Sequence, residues 1–314
     1  MARFLLRRLA ESLAVLLIVT AVTFFLVNLA PGGPAAAMRM DMTAQERQAI
    51  MVRYGLDKPV AVRYAEWLAG LLRGNLGLSL SADQPVAKLI GQRFPNTLLL
   101  STATLALSCL LGVALGVVSA LRRNGLADQG IGFASVLGLS VPAFWLGIML
   151  ILLFSVELAW LPASGASSDG GGGIGDRLAH LVLPVIVLSS TTLPSVVRFT
   201  RSAMLEVIGQ DFVRTARAKG MAELRVIYVH ALRNALVPVI STLGVLVPRL
   251  LGGAVITESV FGWPGMGSLA VQAAAQRDYS LVMGITVVVT AIVVGVSLLV
   301  DVVHSWVDPR IRIA

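Results

Sequence analysis

The chain has 314 residues, 56% of them hydrophobic and 13% charged, with a mean hydropathy of +0.84 and a formal net charge of +8. Soluble domains carry about 25% charged residues, so a water-soluble enzyme is excluded, and so is a disordered chain, which needs low hydrophobicity. The single cysteine, Cys109, excludes an internal disulfide and cysteine-based metal centres, and His180, His230 and His304 show no metal-ligand spacing.

Stretches free of Asp, Glu, Lys and Arg mark the membrane spans, each of which needs about 20 mostly apolar residues. The first is Ser12–Met38, running into Pro31-Gly32-Gly33-Pro34. It is longer than a signal peptide's apolar core, so an uncleaved helix is expected. Phe94–Leu121, Gln129–Val156, Leu178–Val197, Asn234–Thr257 (interrupted by Arg249) and Tyr279–Val300 follow. The predicted fold is an all-α membrane protein of six transmembrane helices, at about 9–30, 97–121, 130–156, 178–199, 235–257 and 280–303. Residues 1–8 and 305–314 flank them, 31–95 form an outer segment with a small helical insertion, and 200–234 form an inner loop. On the second span, Ser108, Gly112 and Gly116 recur at four-residue spacing, which lets helix backbones approach closely.

Basic residues set the orientation. Arg3, Arg7, Arg8, Arg122, Arg123, Arg310 and Arg312 fall on one side, together with the seven basic residues between Arg198 and Arg233; the short loops opposite hold only Arg177 and Arg277. Both termini are therefore expected inside the cell. The excess charge reads as topology, and no aromatic interleaving supports a nucleic-acid site.

In the outer segment, Thr43 and Glu46 have capping-box spacing ahead of Ile50, Met51 and Tyr54, with Gly55 as the stop. Pro59 suits a first helical position before Val62, Tyr64, Trp67, Leu68, Leu71 and Leu72, and Gly74 ends that helix. Such amphipathic helices could cap the bundle, lie on the membrane or receive an external partner. Gly170-Gly171-Gly172-Gly173 has linker composition. Phe261-Gly262-Trp263-Pro264-Gly265-Met266-Gly267 predicts turns, readable as an outer gate or as an interfacial tryptophan anchor.

The inner loop is the informative stretch. Met204, Ile208, Phe212 and Ala216 predict one apolar stripe, Gly220 a break, and Leu224, Ile227, Tyr228 and Ala231 a second stripe. Two short basic helices joined at a glycine elbow are expected. They suit either anionic lipid or a groove on a soluble partner. The corner favours the partner, because lipid binding needs one continuous face.

Arg214-Thr-Ala-Arg-Ala-Lys-Gly220 followed by Val229-His-Ala-Leu-Arg-Asn-Ala-Leu-Val-Pro238 resembles the "EAA" loop of ABC importer permeases, in the dipeptide/oligopeptide/nickel branch. The same resemblance runs through Arg7-Arg8, Leu29-Ala-Pro-Gly-Gly-Pro34, Gly74-Asn-Leu-Gly-Leu-Ser79, Pro95-Asn-Thr-Leu98, Glu258 to Gly267, Asp278-Tyr279 and Asp308-Pro-Arg-Ile-Arg312. The last is similar to the ending of the first permease of such a pair. The chain departs from the general pattern at Arg214-Thr215-Ala216 in place of Glu-Ala-Ala, at Arg233 in place of a proline, and at Gly33 in place of an aspartate.

The resemblance implies a type I ABC importer permease over residues 96–304, in the plasma membrane of a prokaryote. Its implied partners are a second homologous permease, two ATPase subunits, an extracytoplasmic solute-binding protein and membrane lipid. ATP and Mg would be bound by the ATPases and no cofactor by this chain, which lacks a Gly-x-x-x-x-Gly-Lys-Ser/Thr loop and is not expected to be an enzyme. Arg214, Thr215, Ala216, Arg217, Lys219, Gly220, Glu223, Arg225 and His230 are the expected ATPase-coupling residues. Arg249, Glu258, Phe261 and Trp263 are candidates for the translocation path. Arg249 sits roughly 22 Å along its helix from Asn234. It faces either a wet cavity or, by snorkelling, the headgroups. Asp301 and His304, three apart, suit a structural cap better than a proton relay. Peptides are the expected solutes, with nickel chelates, glutathione and oligosaccharides as alternatives. A proton-coupled secondary transporter would need mid-membrane ionisable residues and an internal repeat, and a membrane enzyme a catalytic cluster.

Overall fold

The computed structural model describes residues 2–29, 57–168 and 171–307, and positions 43, 45, 48, 51 and 52. Helices dominate: α1 (Ala2–Leu29), α2 (Val60–Leu72), α3 (Val86–Leu121), α4 (Leu126–Ser140), α5 (Ala143–Leu150), α6 (Ile174–Ile208), α7 (Asp211–Ala218), α8 (Leu232–Val260), α9 (Met266–Ala275) and α10 (Tyr279–Val307). Extended pairing among the described residues is a single bridge, Leu78 to Pro85. Among the described residues, four stretches, Arg7–Leu29, Val86–Leu121, Ile174–Ile208 and Tyr279–Val300, are long and apolar enough to cross a bilayer. The expected fifth span falls on α8, where the side chain of Arg249 lies outside the described residues.

The third span departs from expectation. It is not one helix but two, α4 and α5, bent by 98°. Pro142 lacks an N–H and disfavours helical geometry at the residue before it; Val141 accordingly adopts φ −82°, ψ 123°. α5 then continues as a wider π-helical stretch, Ile151–Glu157. A second departure is α9, where the sequence predicted turns up to Gly267. The turn ends at Gly265, and Ser268 Oγ accepts from the Gly265 amide at 3.2 Å, starting a helix one residue on.

The chain divides into two units, residues 1–96 with 264–298 and residues 97–263 with 299–314. In the first, α2 starts after Pro59, which caps the helix from outside rather than occupying its first turn. Gly74, at φ +78°, closes it. α2 lies along α1: Tyr64 and Thr20 hydroxyls are 3.1 Å apart, and the Tyr64 ring packs on Phe24 and Trp67. Glu46, Ile50, Tyr54, Gly55 and Pro31–Pro34, expected to shape the rest of the outer segment, lie outside the described residues. The core of this unit is Val86, Ile90, Met266, Leu269, Ala273, Leu281 and Ile285.

In the second unit the small residues of α3 meet α6 at matched spacing. Ser108 and Thr192 hydroxyls are 2.7 Å apart. A Cβ on Gly112 would lie 2.7 Å from Val196 Cβ, and one on Gly116 2.6 Å from Thr200 Cβ. The close approach therefore requires glycine at both positions.

Candidate functional site: the connection from α6 to α8

α6 runs on to Ile208, eight residues past the start expected for the loop, and breaks at Gly209-Gln210. The single stripe Met204, Ile208, Phe212, Ala216 is therefore not formed. Met204 and Val207 on α6 are buried with Val213 and Ala216 on α7, whereas Phe212 is exposed. The second stripe shifts too. Glu223–Arg225 begin a helical segment that passes through a π-helical stretch, Val226–Ala231, directly into α8. The wider winding changes which residues face inward: Val226, Ile227 and Ala231 are buried, while Leu224 and Tyr228 are exposed. The second helix is thus the start of a long one.

The corner lies between them. Arg217 donates from Nε to Glu223 Oε2 at 3.1 Å and from Nη2 to Oε1 at 2.6 Å, bracketing Gly220 with a two-pronged ion pair. The Gly220 amide donates to the Arg217 carbonyl at 2.9 Å. Gly220 has φ +72° and open space where a Cβ would stand, so backbone conformation alone demands glycine there. The hydrogen bonds from Arg217 hold the Glu223 carboxyl below its ordinary value, and Glu223 raises Arg217 in return.

Beneath the corner, Val213, Ala216, Val226, Ile227 and Ala231 share one apolar cluster with Met204 and Val207 of α6, Val117 and Ala120 of α3, and Ala235 of α8. Apolar burial is worth about 25 cal/mol per Å², so the corner is joined to three long helices by a dry core rather than by surface contacts. Outward it presents Arg214, Lys219, Arg225, Leu224 and Tyr228. Thr215 Oγ1 donates to the Asp211 carbonyl at 2.9 Å, Arg214 lies 3.5 Å from Asp211, and His230 is half-buried, its carbonyl accepting from Asn234 at 2.7 Å.

The other expected residues lie apart. Glu258 is fully buried and its Oε1 accepts from Thr97 Oγ1 at 2.6 Å. Phe261 and Trp263 are 2% and 1% exposed. Trp263 packs with Leu100, Leu181, Val185, Leu188 and Ala254, and Phe261 with Leu183 and Val187. A headgroup anchor needs an exposed ring, so Trp263 is not an interfacial anchor. The side chains of Asp301 and His304, and residues 308–312, lie outside the described residues.

Two polar clusters went unread in the sequence. Asp128, at the start of α4, takes hydrogen bonds from Arg201 of α6, the Ser119 hydroxyl and the Asn124 amide. Its only sequence signal was its place as the charge ending a span. Asp278, fully buried ahead of α10, accepts from the Ser79 and Ser81 hydroxyls and the Ser81 amide. Burial pushes its carboxyl up, and these donors with the Leu281 amide outweigh that and leave it below its ordinary value. Segments 74–79 and 278–279 each carry a short local pattern, and neither pattern encodes the contact between them.

Comparison with known proteins agrees with this architecture. A family described as "Binding-protein-dependent transport system inner membrane component" matches residues 112–313, and the N-terminal model of the same component matches residues 1–101. The chain is 41% identical to the oligopeptide transport system permease protein AppB of Bacillus subtilis, covering 99% of this chain and 100% of the relative. It is 38% identical to the dipeptide transport system permease protein DppB of Escherichia coli K12, covering 99% of each. Its fold is similar to a chain of the inward-facing MetNI methionine ABC transporter, with a TM-score of 0.55 at 16% identity over 71% of this chain and 97% of the other.

Proposed function

The chain belongs to the family of binding-protein-dependent transport system inner membrane components, and from that premise we propose that it is one of two permease subunits of an ATP-driven importer of di- or oligopeptides. The peptide assignment rests on relatives named as oligopeptide and dipeptide permeases. A second permease completes the pathway, two ATPase subunits bind ATP and Mg, and an extracytoplasmic protein delivers the solute. The chain lies in a prokaryotic plasma membrane with both termini inside, and Glu258, Phe261 and Trp263, each at most 2% exposed, support the path from behind its wall at the outer ends of the spans.

The observation that carries this reading is the corner at Gly220. Its outer face, with Arg214, Lys219, Arg225, Leu224 and Tyr228, is basic and apolar together, which suits a groove on a soluble subunit. Its inner face is packed into α3, α6 and α8. A displacement of the corner by a closing ATPase pair must therefore move those helices, which makes it a two-state element biased by a ligand.

The test is reconstitution of this chain with its partner subunits in proteoliposomes, measuring labelled peptide uptake and ATP hydrolysis together. Gly220→Pro, whose ring fixes φ at about −65° and removes the amide that bonds the Arg217 carbonyl, is expected to leave insertion intact and abolish uptake. Uptake at the wild-type rate by that variant, or uphill uptake by this chain alone, overturns the proposal.

A further inference from the structure

On the side of the 209–233 connection, the second unit holds a cavity of about 540 Å³ between α4 and α6. A second, of about 500 Å³, adjoins it and runs up between α3, α4 and α6. The two share wall residues Ile131, Ser135 and Pro194. Their chemistry is graded along that direction. The lower cavity holds Asn124, Gln129, Arg198 and the Asp128–Arg201 pair; the upper is walled mainly by aliphatic residues, Leu107, Leu111 and Leu193 among them.

Arg201 is neutralised by Asp128. Arg198 is exposed, its guanidinium 5.7 Å over the Phe199 ring, and among the described residues no carboxylate pairs with it. The walls thus carry one uncompensated positive charge at one end and hydrocarbon at the other. A water-soluble solute would need polar groups throughout. An amphiphile with one negative charge and a long apolar tail matches both ends.

We propose that this groove holds one anionic phospholipid from the leaflet on the side of the 209–233 connection. Its phosphodiester lies against Arg198 with the side-chain amides of Asn124 and Gln129, and one acyl chain runs along Leu107, Leu111 and Leu193. A zwitterionic lipid brings its own cation beside Arg198 and fits less well. Phe133 and Val136 on α4 are exposed, an apolar flank that suits acyl chains. The lipid fills the space between α4 and α6 beside the ion pair that joins them. The inference rests on the chain spanning a membrane, and not on the identity of the transported solute.

The test uses the permease purified with its partner subunits, stripped of lipid in detergent and offered phosphatidylglycerol or phosphatidylcholine of identical acyl chains, without ATP or peptide. Retained lipid is counted by native mass spectrometry. Wild type is expected to favour phosphatidylglycerol by roughly fivefold, the effect of one basic residue near a membrane surface. Arg198→Gln is expected to erase that preference, and Ser135→Phe, which fills the shared wall, to lower retention of both lipids. Co-purification with the partner subunits checks that the variants fold, and the wild-type preference stands as a readout needing no variant. Equal retention of the two lipids by wild type, or an unchanged preference in Arg198→Gln, would each overturn the assignment. Because the count needs no transport, its failure leaves the importer reading standing, and lost uptake with an intact lipid preference indicts that reading alone.

Discussion

Arg201 on α6 donates to both carboxylate oxygens of Asp128 on α4, from Nε at 2.8 Å and from Nη2 at 2.7 Å. The same carboxylate accepts from Ser119 near the end of α3 and from the Asn124 amide, at a residue with φ +62°. One aspartate at the start of α4 thus ties the end of α3 to α6 two turns before its end, on the side of the Gly220 corner. Paired, planar hydrogen bonds of this kind are stronger and more directional than a single contact.

Removing one partner leaves the other without compensation in a mostly buried place, whereas removing both does not. Asp128→Asn and Arg201→Gln are each expected to lower the thermal unfolding midpoint in detergent by roughly 5 °C. The double variant is expected to fall by less than the two changes added together. Strict additivity would show that the pair contributes no mutual stabilisation.

The Gly220 corner should respond to backbone preference rather than to size, because a Cβ there meets nothing within 4 Å. Left-handed geometry costs an ordinary residue roughly 1–2 kcal/mol and asparagine less. Peptide uptake is expected to fall in the order Gly220, Gly220→Asn, Gly220→Ala, Gly220→Val. An uptake order that tracked side-chain volume alone, with asparagine no better than valine, would point to steric blockage by a docked subunit instead.

Close helix approach gives the opposite case. Gly116→Ala places a Cβ 2.6 Å from Thr200 Cβ, and Gly295→Ala on α10 places one in open space. Overpacking costs about 1–3 kcal/mol, so Gly116→Ala should destabilise the permease in a thermal assay, and Gly295→Ala should be neutral or mildly stabilising through helix propensity. Equal stability of the two variants would mean that α3 and α6 are not in tight contact.

Acid should act through Asp278. Its carboxyl is held below its ordinary value in the folded chain. The stabilisation it supplies is therefore complete above the unfolded carboxylate range, about pH 4, and is lost as pH falls below it. Thermal midpoints measured from pH 7 down to 3 should drop more steeply for wild type than for Asp278→Asn, which has no proton to gain. Parallel curves would assign the acid sensitivity to other carboxylates.

Much of this was legible beforehand. The sequence by itself determined that the chain is helical and lies in a membrane, because hydrocarbon forces apolar runs of fixed minimum length and cannot hide charge. It also determined the corner, because Gly220 and the flanking basic residues form a local pattern. The small-residue series Ser108, Gly112, Gly116 encodes close packing by its spacing, and it packs. Only the tertiary structure decided which residues meet across long separations. Ser79 with Asp278, Asp128 with Arg201, and Thr97 with Glu258 are 199, 73 and 161 positions apart. A side chain's hydrogen-bonding partner is chosen by where two helices cross, and nothing in the local pattern around either residue encodes that crossing. The structure alone also decided the break at Pro142 and the π-helical turn after Arg225. Apolar periodicity assumes one regular winding, so it misplaces every residue beyond the point where the winding changes.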